Sequence, residues 1–285
     1  MKYFTIILDK NELEKLHTVY QNHLEENNNP LIAFQARHND CKITAYNSLK
    51  VVLQGEEIAH ELILIKRILG RKDYAAIGAD EVGTGDVFGP IVVCSAYVSI
   101  DDIPFLESLN VRDSKSMSDQ QVVKIANQIA KKITHTLIIL NPKKYNTLVK
   151  KGYNLNKIKA LLHNQSILKT KSKVEGEIPV ILDQFCSPQL YFSYLKGEML
   201  IYRDIEFHVR AEQIHLSVAC AAIIARYAFL VEMNRYGKKL GYKLVKGASK
   251  AADELIYRIY KEKGFETLEL VAKTNYKNVT KQNLS

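Results

Sequence analysis

One predicted β-hairpin constrains the fold of this chain more than any other feature. Residues 75–79 form an apolar run, and a second run at 90–98 is apolar almost throughout. Such a run is typical of a strand buried on both faces of a sheet. Asp80 and Glu81 directly follow the first run and precede a Gly-Thr-Gly tripeptide. Neighbouring side chains inside a strand point to opposite faces, but at a strand end both carboxylates could turn toward one site.

Two further acids lie at the ends of other predicted elements. Asp183 follows the apolar run 178–182, and Glu212 lies in the first turn of a helix predicted over 211–236. Taken singly, each could be a cap or an exposed charge, and the helix dipole would stabilise Glu212. The adjacent Asp80 and Glu81 are harder to explain in that way, because like charges repel unless a cation neutralises them. Four acids from three segments predict a site for Mg²⁺ or Mn²⁺ rather than zinc.

The charge balance favours a polyanionic partner. The 285 residues carry a formal net charge of +9, and the segment 142–173 holds nine lysines and no acid. These lysines could form either a solvated helix face or a surface that binds phosphates. A pair of divalent ions can cleave a phosphodiester by activating water and stabilising the leaving oxygen, which is consistent with a basic protein.

Cysteine spacing and hydropathy predict a cytoplasmic location. The four cysteines form no Cys-x-x-Cys pair, which is typical of a reducing compartment. The N-terminal apolar run is too short for a signal peptide. The longest apolar stretch, near 214–233, is interrupted by polar residues, so we expect no membrane span.

The pattern of elements predicts two domains. Residues 1–70 combine short strands with helices at 11–26 and 57–69, and a glycine followed by charges marks a junction at 70–74. Residues 71–285 alternate strands and helices, which predicts an α/β domain with a mixed sheet. Besides the hairpin, the predicted elements are helices at 118–132, 155–171 and 211–236 and strands at 133–140, 178–182 and 205–209.

Several segments, in order along the chain, resemble ribonuclease HIII, a bacterial type-2 ribonuclease H with an extra N-terminal domain. They include GADEVGTGDVFGPIVVCSAYV, DSKSMS, LNPKKYN, NLNKIKALLHNQ, LDQF and AEQIHLSVACAAIIARYAFL. The segment ITAYNSLKVVLQG resembles the extra domain, which is similar to the TATA-binding-protein fold. The resemblance implies an α/β ribonuclease H-like mixed sheet flanked by helices over 71–285. A small α+β TATA-binding-protein-like domain that binds substrate would precede it over 1–70.

The resemblance also implies an activity and a set of residues. The activity would be endonucleolytic hydrolysis of the RNA strand of RNA–DNA hybrids, leaving 5′-phosphate and 3′-hydroxyl ends, with one or two Mg²⁺ or Mn²⁺ ions. The catalytic and metal-binding acids of the family correspond to Asp80, Glu81, Asp183 and Glu212. The substrate contacts correspond to Gly83, Thr84, Gly85, Lys115 and Lys246. Glu212 indicates HIII, because the related HII enzymes have aspartate there.

The chain departs from the family pattern at two positions. Ala222 stands where the family usually has serine, and Ala79 replaces a small polar residue. Alanine is a good helix former, so we expect the helix to tolerate Ala222 with the loss of any hydroxyl hydrogen bond. Neither change removes a metal ligand, and an active enzyme is expected.

Four other residues have more than one interpretation. Tyr46 and Lys50 could contact the hybrid by stacking and by binding phosphate, or they could simply form one edge of a small sheet. His163 is expected at the surface or against a phosphate rather than as an acid–base catalyst. His215 is expected to be packed and hydrogen-bonded, with support of the site as the alternative.

Three alternative functions compete with this interpretation. A ribonuclease HII-like enzyme would nick at a single ribonucleotide in DNA, but that relative carries arginine where Thr84 stands and lacks the N-terminal unit. A hybrid-binding protein without catalysis is disfavoured by the intact acids. A resolvase or transposase of the ribonuclease H fold would act on DNA alone. We expect a monomer with no membrane association.

Overall fold

The computed structural model describes residues 3–56, 58–71, 74–111 and 117–284. The described residues divide into two compact units between Ala75 and Ala76. The boundary predicted from the sequence, between residues 70 and 71, lies slightly earlier in the chain. Each unit has its own sheet, and the two sheets share no strand.

The first unit is a five-stranded antiparallel sheet with two helices. Its strand order is β1-β5-β4-β3-β2. Its elements are β1 (Tyr3–Ile7), α1 (Lys10–Val19), β2 (Leu24–Glu25), β3 (Ile32–His38), β4 (Cys41–Tyr46), β5 (Lys50–Gly55) and α2 (Ile58–Ile68). The helix predicted over 11–26 is wrong at its end, because the chain passes through a 3₁₀ turn at Gln21–His23 and then pairs with β3. Strand pairing there overrides a helical pattern.

The second unit is a mixed sheet flanked by helices, as predicted. Strands β6, β7 and β8 are antiparallel neighbours, whereas β9 and β10 run parallel to β6, in the order β10-β9-β6-β7-β8. The strands are β6 (Ala76–Val82), β7 (Ile91–Val98), β8 (Thr134–Leu140), β9 (Val180–Asp183) and β10 (Ile205–His208). The helices are α3 (Ile103–Ser108), α4 (Asp119–Lys132), α5 (Pro142–Lys150), α6 (Leu155–Lys171), α7 (Pro188–Tyr194), α8 (Leu216–Leu240), α9 (Lys250–Glu269) and α10 (Lys277–Thr280).

Local sequence signals explain several of these elements. Ser118 caps α4 as predicted, since its hydroxyl accepts from the backbone N–H of Gln121 in a capping box. Strand β7 is buried on both faces, as its apolar composition indicates. Helix α6 has the predicted bounds. Its inward surface nevertheless carries polar side chains, so hydrophobic periodicity does not show which side faces the sheet.

Helix α8 is the central helix of the second unit and packs against β6 and β7. It is long and apolar enough to cross a membrane, but 67% of its apolar window is buried inside the protein. Packing within the second unit therefore buries most of the apolar surface of α8. The contact with β6 is made at Gly78, where an added Cβ would lie 2.1 Å from the backbone nitrogen of Val218. Only a glycine allows the helix backbone to approach the strand so closely.

We predict that Gly78→Ala destabilises the protein, because α8 would have to move away from β6. The free energy of unfolding should fall by about 3 kcal/mol, the upper part of the usual range for overpacking. Urea denaturation followed by circular dichroism measures this. The same substitution at Gly85, where a Cβ would meet no atom within 4 Å, should change stability by less than about 0.5 kcal/mol. Equal effects at the two positions would contradict the prediction.

Candidate metal centre

Strand β6 places Asp80 and Glu81 on opposite faces of the sheet. The prediction that both acids lie beyond the strand end is wrong, because β6 continues to Val82 and pairs with β7 at both positions. Gly78 faces α8, so Asp80, two residues further on, shares that face. Glu81 therefore points to the other face, which α6 covers. Regular strand alternation decides their directions.

Asp183 and Glu212 join Asp80 on the α8 face. Strand β9 runs parallel to β6 with Leu182 opposite Ala79, so Asp183 follows beside Asp80. The backbone N–H of Ala211 donates to Asp183 Oδ1 at 2.8 Å. Glu212 lies in a 3₁₀ turn at Ala211–Gln213. The prediction that it lies in the first turn of the long helix is wrong, because α8 begins at Leu216. Glu212 is buried, with only 4% of the residue exposed.

The carboxylates are close enough for their charges to affect one another. Burial raises the pKa of Asp80 well above its ordinary value, and the negative charges of Glu81, Asp183 and Glu212 raise it further. Such a cluster attracts a cation. Among the residues that the structure describes, no three His, Cys, Asp or Glu side chains are arranged as a ready set of metal ligands.

Glu81 is paired with two side chains of α6. Lys159 Nζ donates to Glu81 Oε1 at 2.7 Å, and His163 Nε2 lies 2.7 Å from Oε2. Burial raises the pKa of Glu81, but His163 and Lys159 outweigh that effect and leave the pKa below its ordinary value. His163 is completely buried, so its predicted place at the surface is wrong. The sequence gives no signal for this contact beyond a lysine and a histidine one helical turn apart.

His215 is buried, as expected. It lies just before the central helix α8 and not within it. Its backbone is extended and it occupies the N-cap position of α8. Its ring lies 6.1 Å from the ring of His208, at the end of β10. Ala222 lies within α8, which continues through it without interruption, so the helix tolerates alanine there.

The two glycines of the Gly-Thr-Gly tripeptide have different surroundings. Gly83 has a φ of +94°, and a Cβ there would lie 2.2 Å from the carbonyl oxygen of Pro90. The fold itself therefore requires glycine at this position. Gly85 is exposed, and a Cβ there would meet no protein atom within 4 Å. Space is therefore left at Gly85 for a ligand backbone to approach.

Residues distant in sequence hold the loop at 83–89. Lys273 is fully buried, and its ammonium donates to the carbonyl oxygens of Asp86 and Gly89, both at 2.7 Å. Tyr276 donates its hydroxyl to the carbonyl oxygen of Thr84 at 2.6 Å. Sequence reasoning missed both residues, because no local pattern distinguishes a buried lysine from an exposed one.

Lys246 and Gly247 lie beside the same loop. The backbone N–H of Gly247 donates to Asp86 Oδ1 at 2.6 Å, whereas Lys246 forms an ion pair with Asp119. The structure thus places the Lys-Gly pair at the loop and leaves the role of Lys246 toward substrate a prediction. Lys115 lies outside the described residues.

Tyr46 and Lys50 share one face of the first sheet. Tyr46 ends β4 and Lys50 begins β5, on either side of a turn. Ala45 and Val51 are paired across these strands and are fully buried. Side chains alternate along a strand, so Tyr46 and Lys50 both point to the opposite face, where Lys50 is exposed. Contact with a hybrid stays a prediction.

Known proteins resemble this chain over nearly its whole length. A family model described as Ribonuclease HII matches residues 77–279, and a model for a domain of unknown function, DUF3378, matches residues 4–62. A Ribonuclease HIII of Phytoplasma mali is 49% identical over 284 residues, with 99% of each chain covered. The chain belongs to the ribonuclease HIII family. A Ribonuclease HIII of Bacillus subtilis is 36% identical and covers 99% of this chain and 97% of its own length.

A solved structure of the ribonuclease HIII family has the same fold. It is the crystal structure of Bst-RNase HIII in complex with Mn²⁺, which has a TM-score of 0.72 and 34% identity. The match covers 98% of this chain and 97% of that chain. The fold predicted from the sequence is confirmed by this likeness.

Gly85→Ala should weaken substrate binding without weakening the fold. The added methyl group would occupy space that the protein leaves open, so we expect the KM for an RNA–DNA hybrid to rise roughly tenfold, about 1.4 kcal/mol of lost binding. Steady-state cleavage kinetics measure this. Gly83→Ala is the contrasting variant, since strain at a positive φ should lower its stability. An unchanged KM for Gly85→Ala would contradict the role of this opening.

Lys273 should make the stability of the protein rise with pH. Burial lowers the pKa of Lys273 from 10.5 to about 7, so between these pH values the unfolded chain binds the extra proton. The free energy of unfolding then rises with pH, by up to about 1.4 kcal/mol per unit. Lys273→Met lacks this contribution. In urea titrations, the wild type should gain stability relative to the variant from about pH 7.5 to about pH 9.5; a constant difference would contradict the prediction.

Proposed function

We propose that this chain is an endoribonuclease that hydrolyses the RNA strand of RNA–DNA hybrids and leaves 5′-phosphate and 3′-hydroxyl ends. The observation that carries the proposal is the cluster of Asp80, Asp183 and Glu212 near the carboxyl ends of β6 and β9, with Glu81 beside it on the opposite face. Full-length similarity to ribonucleases named HIII supports the same activity. The basic composition fits a nucleic-acid substrate.

The donor set of the cluster fits a hard divalent cation. All four predicted ligands are carboxylates, which suit Mg²⁺ or Mn²⁺. Asp80, Asp183 and Glu212 would hold one or two such ions from the α8 face, and Glu81 from the α6 face. When bound, ions at such a site supply an activated water and neutralise charge on the leaving oxygen. Burial raises the pKa of Asp80, and the negative charges of Glu81, Asp183 and Glu212 raise it further. A bound cation would offset these charges, which supports this assignment.

The protein's own residues would orient the site and admit the substrate. The backbone N–H of Ala211 donates to Asp183 Oδ1 and fixes this carboxylate relative to the turn that carries Glu212. The loop at 83–89 is held from behind by Lys273 and Tyr276, so its exposed Gly85 can meet a nucleic-acid backbone. The 2′-hydroxyl is the group by which RNA differs from DNA, and backbone groups of such a loop are suited to recognise it.

The first unit would add affinity for the hybrid. Its sheet carries Tyr46 and the exposed Lys50 on the face opposite the buried core. An aromatic ring and a cation on one surface suit bases and phosphates. This unit contributes no acid to the cluster, so we assign it to binding rather than to chemistry.

We extend the proposal to a monomer in the cytoplasm. All four cysteines are free thiols, which supports a reducing compartment. The burial of most of the apolar window of α8 supports a protein that does not use this helix as a membrane anchor.

A cleavage assay on three labelled duplexes tests the function. The substrates are an RNA–DNA hybrid, DNA with one ribonucleotide and DNA alone, each with Mg²⁺, Mn²⁺ or EDTA. We expect metal-dependent cuts within the RNA tract. Asp183→Asn should lower the rate by roughly 1,000-fold, since a metal ligand contributes several kcal/mol to the transition state.

The matched control is Asp204→Asn, which removes the same charge from an exposed residue outside the cluster. It should cleave like the wild type. Nicking only at the lone ribonucleotide would indicate an activity like that of ribonuclease HII. Binding of the hybrid without cuts under any metal would contradict the proposal and indicate a binding protein.

A further inference from the structure

Each carboxylate oxygen of Glu81 has a partner on α6. Lys159 Nζ and His163 Nε2 take one carboxylate oxygen each, at 2.7 Å. The side chains of both partners are almost completely buried, with 8% of Lys159 and none of His163 exposed. An ion pair at this depth is not loosened by solvent as a surface pair is.

Phe185 fixes both partners of Glu81. Lys159 Nζ lies 3.9 Å from the centroid of the Phe185 ring, which is close enough for a cation–π contact. The ring of His163 stacks on the same ring with centroids 5.5 Å apart. Phe185 comes two residues after Asp183, so one short segment carries a predicted metal ligand and the support for Lys159.

A divalent cation would compete with this arrangement. Glu81 Oε1 has a further lone pair beside the one that accepts from Lys159, so an ion bound there would lie close to the ammonium group. An ammonium group has three donors and no acceptor, so Lys159 cannot join the ligand set in its charged form. A positive charge beside the carboxylate also disfavours a second cation there. Lys159 therefore opposes metal binding at Glu81 through its positive charge.

We propose that Lys159 is a positioning residue that holds Glu81 on the α6 face in the metal-free protein and yields this carboxylate when a divalent cation binds. This inference rests on the proposed metal centre and adds that Lys159 competes with the divalent cation for Glu81. The ion pair keeps a buried carboxylate neutralised before the metal arrives, and its charge sets how readily the metal displaces it.

Lys159→Gln tests the proposal, because glutamine can still donate to Glu81 without a charge. Mn²⁺ binding to the full-length protein is measured by electron paramagnetic resonance of the free ion. We expect the Kd to fall at least tenfold relative to the wild type. In EDTA the melting temperature of the variant should be lower, because Glu81 loses its cation, and the rise in melting temperature on adding Mn²⁺ should be larger.

Two control variants separate charge from general effects. Lys157→Gln removes the same charge from the same helix, but Lys157 contacts the ring of Tyr153 instead of Glu81; its Kd should equal that of the wild type. Lys159→Arg keeps the charge and should also bind Mn²⁺ like the wild type. A Kd for Lys159→Gln that is equal to or higher than that of the wild type would overturn the proposal.

A measurement on the wild type covers the case in which the variant does not fold. Crystal structures with and without Mn²⁺ should show Lys159 Nζ within hydrogen-bond distance of Glu81 only when the metal is absent. Persistence of this contact beside a bound ion would overturn the competition. If neither the wild type nor the variant binds Mn²⁺, the proposed metal centre fails and this inference fails with it; binding with equal Kd values overturns the inference alone.

Discussion

The close approach of α8 to β6 is the constraint on which the site depends. Gly78 has no side chain, so the helix backbone lies directly on the strand. Asp80 then points along the same surface, and the 3₁₀ turn that precedes α8 brings Glu212 to it. The hydrogen bond from Ala211 to Asp183 fixes the third acid relative to that turn. Three carboxylates from three segments are thus assembled around one glycine contact.

The carboxylates on the two faces of the second sheet have different electrostatic environments. Asp80 lies on the α8 face, where burial raises its pKa and the negative charges of Glu81, Asp183 and Glu212 raise it further. On the α6 face, Lys159 and His163 stabilise the charged form of Glu81. Gathering like charges is costly unless an opposite charge compensates them. For Glu81 the protein itself supplies that compensation, and in the proposed metal centre a divalent cation would supply it for Asp80.

Sequence reasoning found the acids because their types and their places near strand ends suggest the chemistry. It could not find their directions, because the end of β6 is set by pairing with β7 and not by the glycines that follow. It also misplaced Glu212, because an acid directly before an apolar helical pattern is typical of the first turn of a helix, whereas here a 3₁₀ turn precedes the helix.

The environments of two other residues were also beyond the sequence. His163 was expected at the surface because nine lysines surround it in sequence, but α6 turns several polar residues inward. Lys273 has no local signal, because what buries it is a loop almost two hundred residues away. Local pattern therefore predicted the elements, whereas the partners of buried polar groups required the assembled fold.

The anchoring of the loop at 83–89 by Lys273 and Tyr276 has a consequence for the order of synthesis. The acids on β6 and β9 and the turn carrying Glu212 leave the ribosome before residues 273–276 do. Until those last anchors emerge, the carbonyl groups of Thr84, Asp86 and Gly89 lack their donors. The loop at 83–89 can therefore reach its final form only after residues 273–276 have emerged, by which time all four acids have already left the ribosome.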